Sequence, residues 1–199
     1  MPLSATTVLS APTTQPVPSG RWAIRQTWRD LLFAHWPVPA EMLRPLIPAN
    51  LDVDTFDGAA WVGVVPFRMT GVRLRGMPFS PVAGAFPELN VRTYVVPRGA
   101  TEKKPGVWFF CLDAGSPVAV AVARAWYHLP YFNARMSVRA DAERIRYTSR
   151  RTHRGASPAA LTATYGPIAP VALSEPGTLA HWLTERYCLY TTDRRGRLY

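Results

Sequence analysis

The chain has 199 residues, of which 48% are hydrophobic and 18% charged, and its formal net charge is +10. This length and composition suit one globular domain and exclude a disordered chain. No apolar run approaches the ~20 residues of a membrane helix, and two cysteines are too few for a disulfide framework, so we expect a cytoplasmic protein without membrane association.

Residues 1–20 are rich in Ser, Thr and Pro, and they lack the basic and apolar regions of a secretory signal. We expect them to form a flexible N-terminal tail. No repeat, linker or change of composition divides the rest of the chain, so residues 21–199 are predicted to form a single domain.

Along the chain, strand patterns outnumber helix patterns. A short helix is predicted over residues 39–46, where an early proline fits the first turn. Two more helices are predicted over residues 116–129, which open with a Ser-Pro pair, and over residues 178–190. Strands are predicted over residues 59–69, 88–96, 106–113, 134–139, 143–150 and 159–165. These elements indicate an α+β, mainly β fold, with a curved antiparallel or mixed sheet closing into a barrel or cone with a few flanking helices.

The strand over residues 88–96 has one polar and one apolar face. Because side chains alternate along a strand, Glu88, Asn90, Arg92 and Tyr94 share one side. A solvent-facing side is the usual explanation for such a pattern. The alternative is a polar wall inside a cavity, where a carboxylate, an amide and a guanidinium meet a small ligand. The alternation of polar and apolar residues alone favours the solvent-facing interpretation over the cavity.

A second concentration of polar side chains follows the predicted helix over residues 116–129. A helix ends, a proline turns the chain and a strand begins there, and such junctions often present functional groups. His128 is a candidate acid–base group, and Tyr131 a candidate hydrogen-bond donor. A histidine at a helix C-terminus more often interacts with the helix dipole, so the pattern favours that role for His128.

Other chemistry has weaker support in the sequence. A second cation lowers the pKa of a lysine, so the adjacent pair Lys103 and Lys104 is a candidate amine nucleophile. The Pro-Gly that follows the pair, however, indicates an exposed turn. The four histidines lack metal-ligand spacing, so neither a metal site nor a cofactor is expected.

The positive charge has a simple explanation in the strand pattern. Arg144, Arg146 and Arg150 share one face of a predicted strand, and Arg135 and Arg139 share one face of its hairpin partner. A solvated basic face is the usual meaning of such a pattern. No nucleic-acid-binding motif accompanies it, so we expect no specific nucleic-acid binding.

Six motifs between residue 31 and residue 190 together are specific for one family. They are LLFAHWPVPAEMLRPLIP, FDGAAWVGVVPFRM, FPELNVRTYV, KPGVWFFCLDA, LPYFNARM and LTERYCLY. From about Trp28 onward the chain resembles the YqjF-like uncharacterised bacterial proteins, which are relatives of acetoacetate decarboxylase. The resemblance implies an acetoacetate decarboxylase-like domain over residues 21–199. Members of this group commonly continue beyond RRGRLY, so it also implies that an edge of the sheet is missing.

The similarity to acetoacetate decarboxylase itself is looser. Its Arg-Glu pair before the first strand corresponds to Arg29-Asp30, and its cavity glutamate corresponds to Glu88. Its Schiff-base lysine follows a helix in an Arg-x-x-Trp-x-Phe-Pro-Lys-Lys pattern, and Tyr131 and Phe132 stand at the two lysine positions here. Imine formation requires an amine, so lysine Schiff-base decarboxylation is not expected.

The resemblance therefore implies a small-molecule cavity for a carbonyl or carboxylate metabolite, with different chemistry. Glu88 would act as general acid or base, and Tyr131 would donate a hydrogen bond to a carbonyl oxygen. Arg29 or Arg92 would hold an anionic group, with Asn90 and His128 as further binding residues.

Catalysis itself is left open by these residues, because they serve a binding protein equally well. One alternative is a non-catalytic ligand-binding or sensor module. Another, with less support, is a nucleic-acid binder that uses the basic surface. A homo-oligomer is compatible with every one of these interpretations.

Overall fold

The computed structural model describes residues 23–76, 85–100, 104–141, 143–170, 172–193 and 195–199. In these ranges strands outnumber helices, which confirms the mainly β class. The strands are β1 (Ile24–Arg29), β2 (Ala34–Val38), β3 (Leu51–Val53), β4 (Ala60–Leu74), β5 (Phe86–Pro97), β6 (Gly106–Ala114), β7 (Tyr131–Ala140), β8 (Ile145–Arg151), β9 (Ala160–Tyr165) and β10 (Cys188–Tyr190). The helices are α1 (Ala40–Leu43), which continues into a 3₁₀ turn (Arg44–Leu46), α2 (Pro117–Trp126) and α3 (Leu179–Thr184). The predicted tail lies outside the described residues.

All ten strands belong to one mixed sheet, whose main order is β1-β4-β5-β6-β7-β8-β9. Strand β5 lies between β4 and β6 and pairs antiparallel with both. One face of the sheet carries a core that includes Phe67, Tyr94 and Leu112, and the other carries a smaller cluster around Leu51 and Val95. Both faces of β5 are therefore covered. Its polar face is buried, although the alternation of polar and apolar residues alone favours a polar face exposed to solvent.

The expectation that the sheet closes into a barrel was wrong. In the described part of the chain, β1 and β9 share no backbone ladder. The Tyr165 hydroxyl of β9 donates to the carbonyl oxygen of Asp30, the residue after β1, at 2.6 Å, and this bond is a side-chain contact and not part of a ladder. Strand β7 joins β6 through just three parallel residue pairs before it turns to pair with β8, which directs the last strands away from closure.

Helix α2 follows its predicted start but ends earlier than residue 129. Its first residue is Pro117, and the Ser116 hydroxyl accepts a hydrogen bond from the Ala119 amide at 3.3 Å. The helix ends at Trp126 because His128 takes a left-handed conformation, with φ of 53°. This reversal leads the chain through Pro130 into β7.

The helix predicted over residues 178–190 was correct only in its first half. Helix α3 ends at Thr184, where Arg186 turns its guanidinium back to the Trp182 carbonyl oxygen and to Asp54. Residues Cys188–Tyr190 then form β10, which pairs parallel with the start of β6. Within the described ranges, no helix is both long enough and apolar enough to cross a bilayer.

The predicted basic face lies on the β7–β8 hairpin. Arg135 stands opposite Arg150 in the ladder, and Arg139 stands opposite Arg146. These four side chains are exposed, while Tyr147 on the other face of β8 is fully buried. The alternation predicted for this hairpin is thus confirmed.

Candidate functional site

A largely apolar pocket of about 420 Å³ lies against the polar face of β5. We call it the Glu88 pocket, and its polar wall consists of Glu88, Asn90 and Arg92 on β5. Apolar side chains from β1, β4, β6 and α2 form most of the remaining lining. This volume falls within the ~300–1,000 Å³ that is typical of small-molecule sites.

Glu88 and Tyr131 form a buried hydrogen-bonded pair at one end of the polar wall. The Tyr131 hydroxyl donates to Glu88 Oε2 at 3.0 Å. Tyr131 is the first residue of β7 and pairs with Leu112 of β6, which brings the phenol beside β5. The Glu88 backbone is held from β8, because the Tyr147 hydroxyl donates to the Glu88 carbonyl oxygen at 2.7 Å.

Burial determines the protonation state of this pair. Desolvation raises the pKa of Glu88 to about 8, although the hydrogen bond from Tyr131 acts in the opposite direction. Desolvation, together with the neighbouring carboxyl group, raises the pKa of Tyr131 well above its usual value. At pH 7 both groups are therefore mostly neutral. A protonated carboxyl group whose Oε2 accepts from Tyr131 can use its own O–H as a donor toward a ligand.

Arg92 is a buried cation at the other end of the wall, with 5% of its surface exposed. Among the described residues no carboxylate forms an ion pair with it, whereas Arg186, in the same lining, pairs with Asp54 at 2.6 Å. The Nε atom of Arg92 has no hydrogen-bond partner in the described ranges, and Nη2 has only a 3.4 Å contact with the Tyr94 hydroxyl. The guanidinium edge that binds carboxylates in bidentate fashion is thus largely unsatisfied.

Asn90 contributes a second unsatisfied group to the middle of the wall. The residue is 1% exposed, and its Oδ1 atom has no hydrogen-bond partner within the described residues. Buried polar atoms without partners are uncommon, and they often mark sites that a ligand or water completes.

A hydrogen-bonded chain behind the pocket holds the Arg92 side chain. The Tyr94 hydroxyl lies 2.7 Å from His35 Nε2, and burial, with the nearby charge of Arg92, lowers the pKa of His35 to about 4. A neutral His35 can accept the Tyr94 proton, which leaves the Tyr94 oxygen to accept from Arg92. Gly63 makes this arrangement possible, since a Cβ atom there would lie 2.7 Å from His35 Nε2.

Four of the six predicted site residues lie together and two lie elsewhere. Glu88, Asn90, Arg92 and Tyr131 all line the pocket. Arg29 is exposed on β1, where alternation directs Trp28, and not Arg29, toward the pocket.

His128 lies outside the Glu88 pocket. It borders a separate hollow together with Trp108 and Phe110, and its ring lies 6.3 Å from that of Tyr199. The carbonyl oxygen of His128 accepts from the Thr191 hydroxyl at 3.0 Å. The acid–base and helix-dipole roles weighed for it stay predictions.

The two residues at the aligned lysine positions point in different directions. Tyr131 lines the pocket, whereas the Phe132 ring lies between the guanidinium groups of Arg124 and Arg151, at 5.7 and 4.3 Å. Lys104 is exposed before β6, as the turn pattern predicts, and Lys103 lies outside the described residues.

Several pocket residues were not anticipated from the sequence. Phe33 stacks under the Arg92 guanidinium at 4.9 Å, and Arg186 joins the lining from the segment after α3. The one usable signal was Gly63, because a glycine inside a strand often marks a close approach of neighbouring groups.

Comparison with known proteins is consistent with this geometry. Residues 25–199 match the family DUF2071, which is described as an uncharacterized conserved protein. The uncharacterized protein YqjF of Bacillus subtilis (strain 168) is 49% identical over 183 residues, which are 92% of this chain and 73% of YqjF.

Solved structures of acetoacetate decarboxylase share the fold. The enzyme from Legionella pneumophila subsp. pneumophila str. Philadelphia 1 superposes with a TM-score of 0.57 and 14% identity, over 99% of this chain and 74% of the enzyme. A second acetoacetate decarboxylase structure gives a TM-score of 0.57 and 18% identity, over 90% of this chain and 66% of that one. The predicted resemblance is thus confirmed at the level of family and fold, and the chain belongs to the DUF2071 family, with YqjF as a relative and an acetoacetate decarboxylase-like fold.

Proposed function

We propose that the Glu88 pocket binds a small carboxylate metabolite that carries a carbonyl group, and that any reaction there proceeds without a Schiff base. The observation that carries the proposal is the pairing of a neutral carboxyl–phenol pair and an arginine without an ion-pair partner in one apolar pocket, among the described residues.

The charge of Arg92 supports a carboxylate ligand. A buried guanidinium without a counter-ion is costly, and a carboxylate on its Nε–Nη2 edge would supply both the charge and two hydrogen bonds. The contact between Nη2 and Tyr94 is long enough, at 3.4 Å, to be exchanged for a shorter bond to such a ligand.

The Glu88–Tyr131 pair supports a carbonyl oxygen as the second recognised group. A protonated Glu88 can donate its O–H to a carbonyl oxygen, and the same proton makes it a general acid for a reaction at that carbonyl. An ionised glutamate would do neither, so the raised pKa of Glu88 suits this role.

An imine mechanism finds no lysine amine in the described lining of the pocket. The chain's two lysines are Lys103 and Lys104, and Lys104 precedes the end of β6 that is remote from the Glu88–Ala114 pair.

The proposal is tested by a thermal-shift screen against oxo acids of graded chain length, beginning with short 2-oxo and 3-oxo acids, together with their amides and simple aldehydes. We expect the acids to raise Tm and the amides to do so far less, since amides lack the charge that Arg92 binds. Glu88→Met and Arg92→Gln should each reduce the shift, because Met cannot donate to a carbonyl oxygen and Gln carries no charge, and Arg139→Gln, at an exposed site on β7, is the matched control.

Two outcomes would overturn the proposal. One is the absence of a shift across the whole panel from protein shown to be folded. The other is loss of the shift in Arg29→Gln with retention in Arg92→Gln, which would place the anion elsewhere. Incubation of a stabilising acid with the protein, followed by NMR of the mixture, then separates turnover from binding alone.

A further inference from the structure

The spacing of the polar groups along β5 constrains the length of the ligand, and this inference rests on the proposed function. Glu88 and Arg92 are four residues apart on the same face of one strand. At about 3.3 Å per residue, their Cα atoms are separated by roughly 13 Å. The Arg92 guanidinium contacts the Tyr94 hydroxyl at 3.4 Å.

A short oxo acid that lies along β5 is shorter than the roughly 13 Å between the Cα atoms of Glu88 and Arg92. Its carboxylate and carbonyl carbons are neighbours or next-neighbours in the molecule. An extended chain advances about 1.1–1.2 Å per bond, as three backbone bonds span 3.3–3.6 Å. A gap of roughly 13 Å therefore corresponds to a chain of about ten to twelve bonds.

The walls between the two ends suit a hydrocarbon chain. Leu112 and Phe109 of β6 stand opposite Asn90 and Arg92, and Val122 of α2 lines the pocket as well, whereas Met69 and Phe86 extend the apolar lining beyond Glu88. The polar residue between the ends of the wall is Asn90, whose Oδ1 is already buried. A ligand made of polar groups throughout would leave most of this lining without a favourable contact.

The outer part of the lining is apolar as well. Several lining side chains are large, apolar and more than one third exposed, so the pocket opens to solvent through an apolar rim. They are Ile24, Trp28, Tyr127, Tyr187 and Leu189.

We propose that the ligand is an amphipathic straight-chain acid of about twelve to fourteen carbons, with its carboxylate on Arg92 and a carbonyl oxygen near its other end at the Glu88–Tyr131 pair. The hydrocarbon between them lies against the apolar walls. This assigns the Glu88 pocket to medium-chain oxo acids and not to the short oxo acids in the screen above.

The test is a titration of the protein with straight-chain oxo acids whose ketone is at the penultimate carbon, from about four to about sixteen carbons long. Each is compared with the alkanoic acid of equal length and with its methyl ester. We expect the affinity to be highest at about twelve to fourteen carbons. The ketone should improve it by about 2- to 10-fold, as one net hydrogen bond does, and esterification should weaken it at least as much.

Variants assign the two ends of the ligand. Glu88→Met should abolish the advantage of the ketone and keep the chain-length optimum, and Arg92→Met should abolish the difference between acid and ester. Arg139→Gln is again the control, because that side chain is exposed on β7. If either pocket variant fails to fold, the wild-type optimum and the ester comparison still decide the matter.

Each result has a distinct meaning. Tightest binding by acids of about four carbons, with dependence on Glu88 and Arg92, would overturn the length assignment and leave the proposed function standing. Affinity that simply rises with chain length and ignores the ketone would overturn it too, by showing nonspecific apolar binding. Failure of all acids to bind folded protein would reject both proposals.

Discussion

Replacing Glu88 by Gln should stabilise the protein at alkaline pH and leave its stability nearly unchanged at acid pH. Glu88 is buried, and burial raises its pKa from 4.5 to about 8. Between these two values the unfolded chain has released a proton that the folded chain retains. Stability therefore falls as the pH rises through this window, and the loss is complete above about pH 8.

The size of the effect follows from the pKa difference. At about 1.36 kcal/mol per pKa unit, the rise from 4.5 to about 8 corresponds to a loss of at most roughly 5 kcal/mol. That loss is a large share of the free energy of unfolding of a typical protein, which is ~5–15 kcal/mol. Gln has nearly the same shape, cannot ionise and still accepts the hydrogen bond from Tyr131, so the variant should escape this loss.

The assay is urea unfolding of both proteins at pH 5 and at pH 9, with linear extrapolation to zero urea. The free-energy difference between Glu88→Gln and wild type should be small at pH 5 and should grow by several kcal/mol at pH 9. His35, whose pKa is lowered to about 4, affects both proteins equally and cancels in this difference. Glu41→Gln, at an exposed site, is the control and should give the same difference at both pH values. If the Glu88→Gln difference is also independent of pH, the carboxyl is not held neutral by burial and the reasoning fails.

Three further substitutions probe the surroundings of the pocket. Tyr131→Phe removes the donor to Glu88 Oε2 and should cost about 1–2 kcal/mol in urea unfolding at pH 6, and an unchanged stability would contradict the buried bond. Tyr131→Lys places an amine beside the Glu88 carboxyl, so borohydride treatment with an oxo acid should give a covalent adduct in mass spectra, and its absence under all conditions would count against this placement. Asp113→Asn breaks the buried ion pair with Arg151, at 2.7 Å, and should lower stability by about 3–5 kcal/mol. A loss below about 1 kcal/mol, as for surface pairs, would show that this pair is solvated.

The sequence predicts the strand β5 and its two faces well, because alternation is a local property of the chain. It does not predict what covers the polar face. The alternation along β5 alone favours solvent on the polar face, whereas β1 and α2 lie over that face in the folded protein. The resemblance to acetoacetate decarboxylase is the source of that information, since it implies that Glu88 lies on a cavity wall.

The errors have a common physical origin in contacts between distant segments. Arg29 was chosen because Arg29-Asp30 aligns with the Arg-Glu pair of acetoacetate decarboxylase, whereas in the folded chain Trp28, and not Arg29, lines the pocket. The second half of the helix predicted over residues 178–190 becomes β10 because the edge of β6 offers backbone pairing there. His128 ends helix α2 early through a left-handed conformation that helix propensity does not reveal.

The short parallel junction between β6 and β7 has a consequence for the order of folding. Three residue pairs, Leu112–Tyr131, Asp113–Phe132 and Ala114–Asn133, form it, and they follow the crossover through α2. Parallel pairs across a crossover form slowly compared with local hairpins such as β7–β8. Since Tyr131 belongs to this junction, it meets Glu88 only once the crossover has docked. We therefore expect the Glu88–Tyr131 hydrogen bond to be among the last contacts to form, after the strands and the local hairpins.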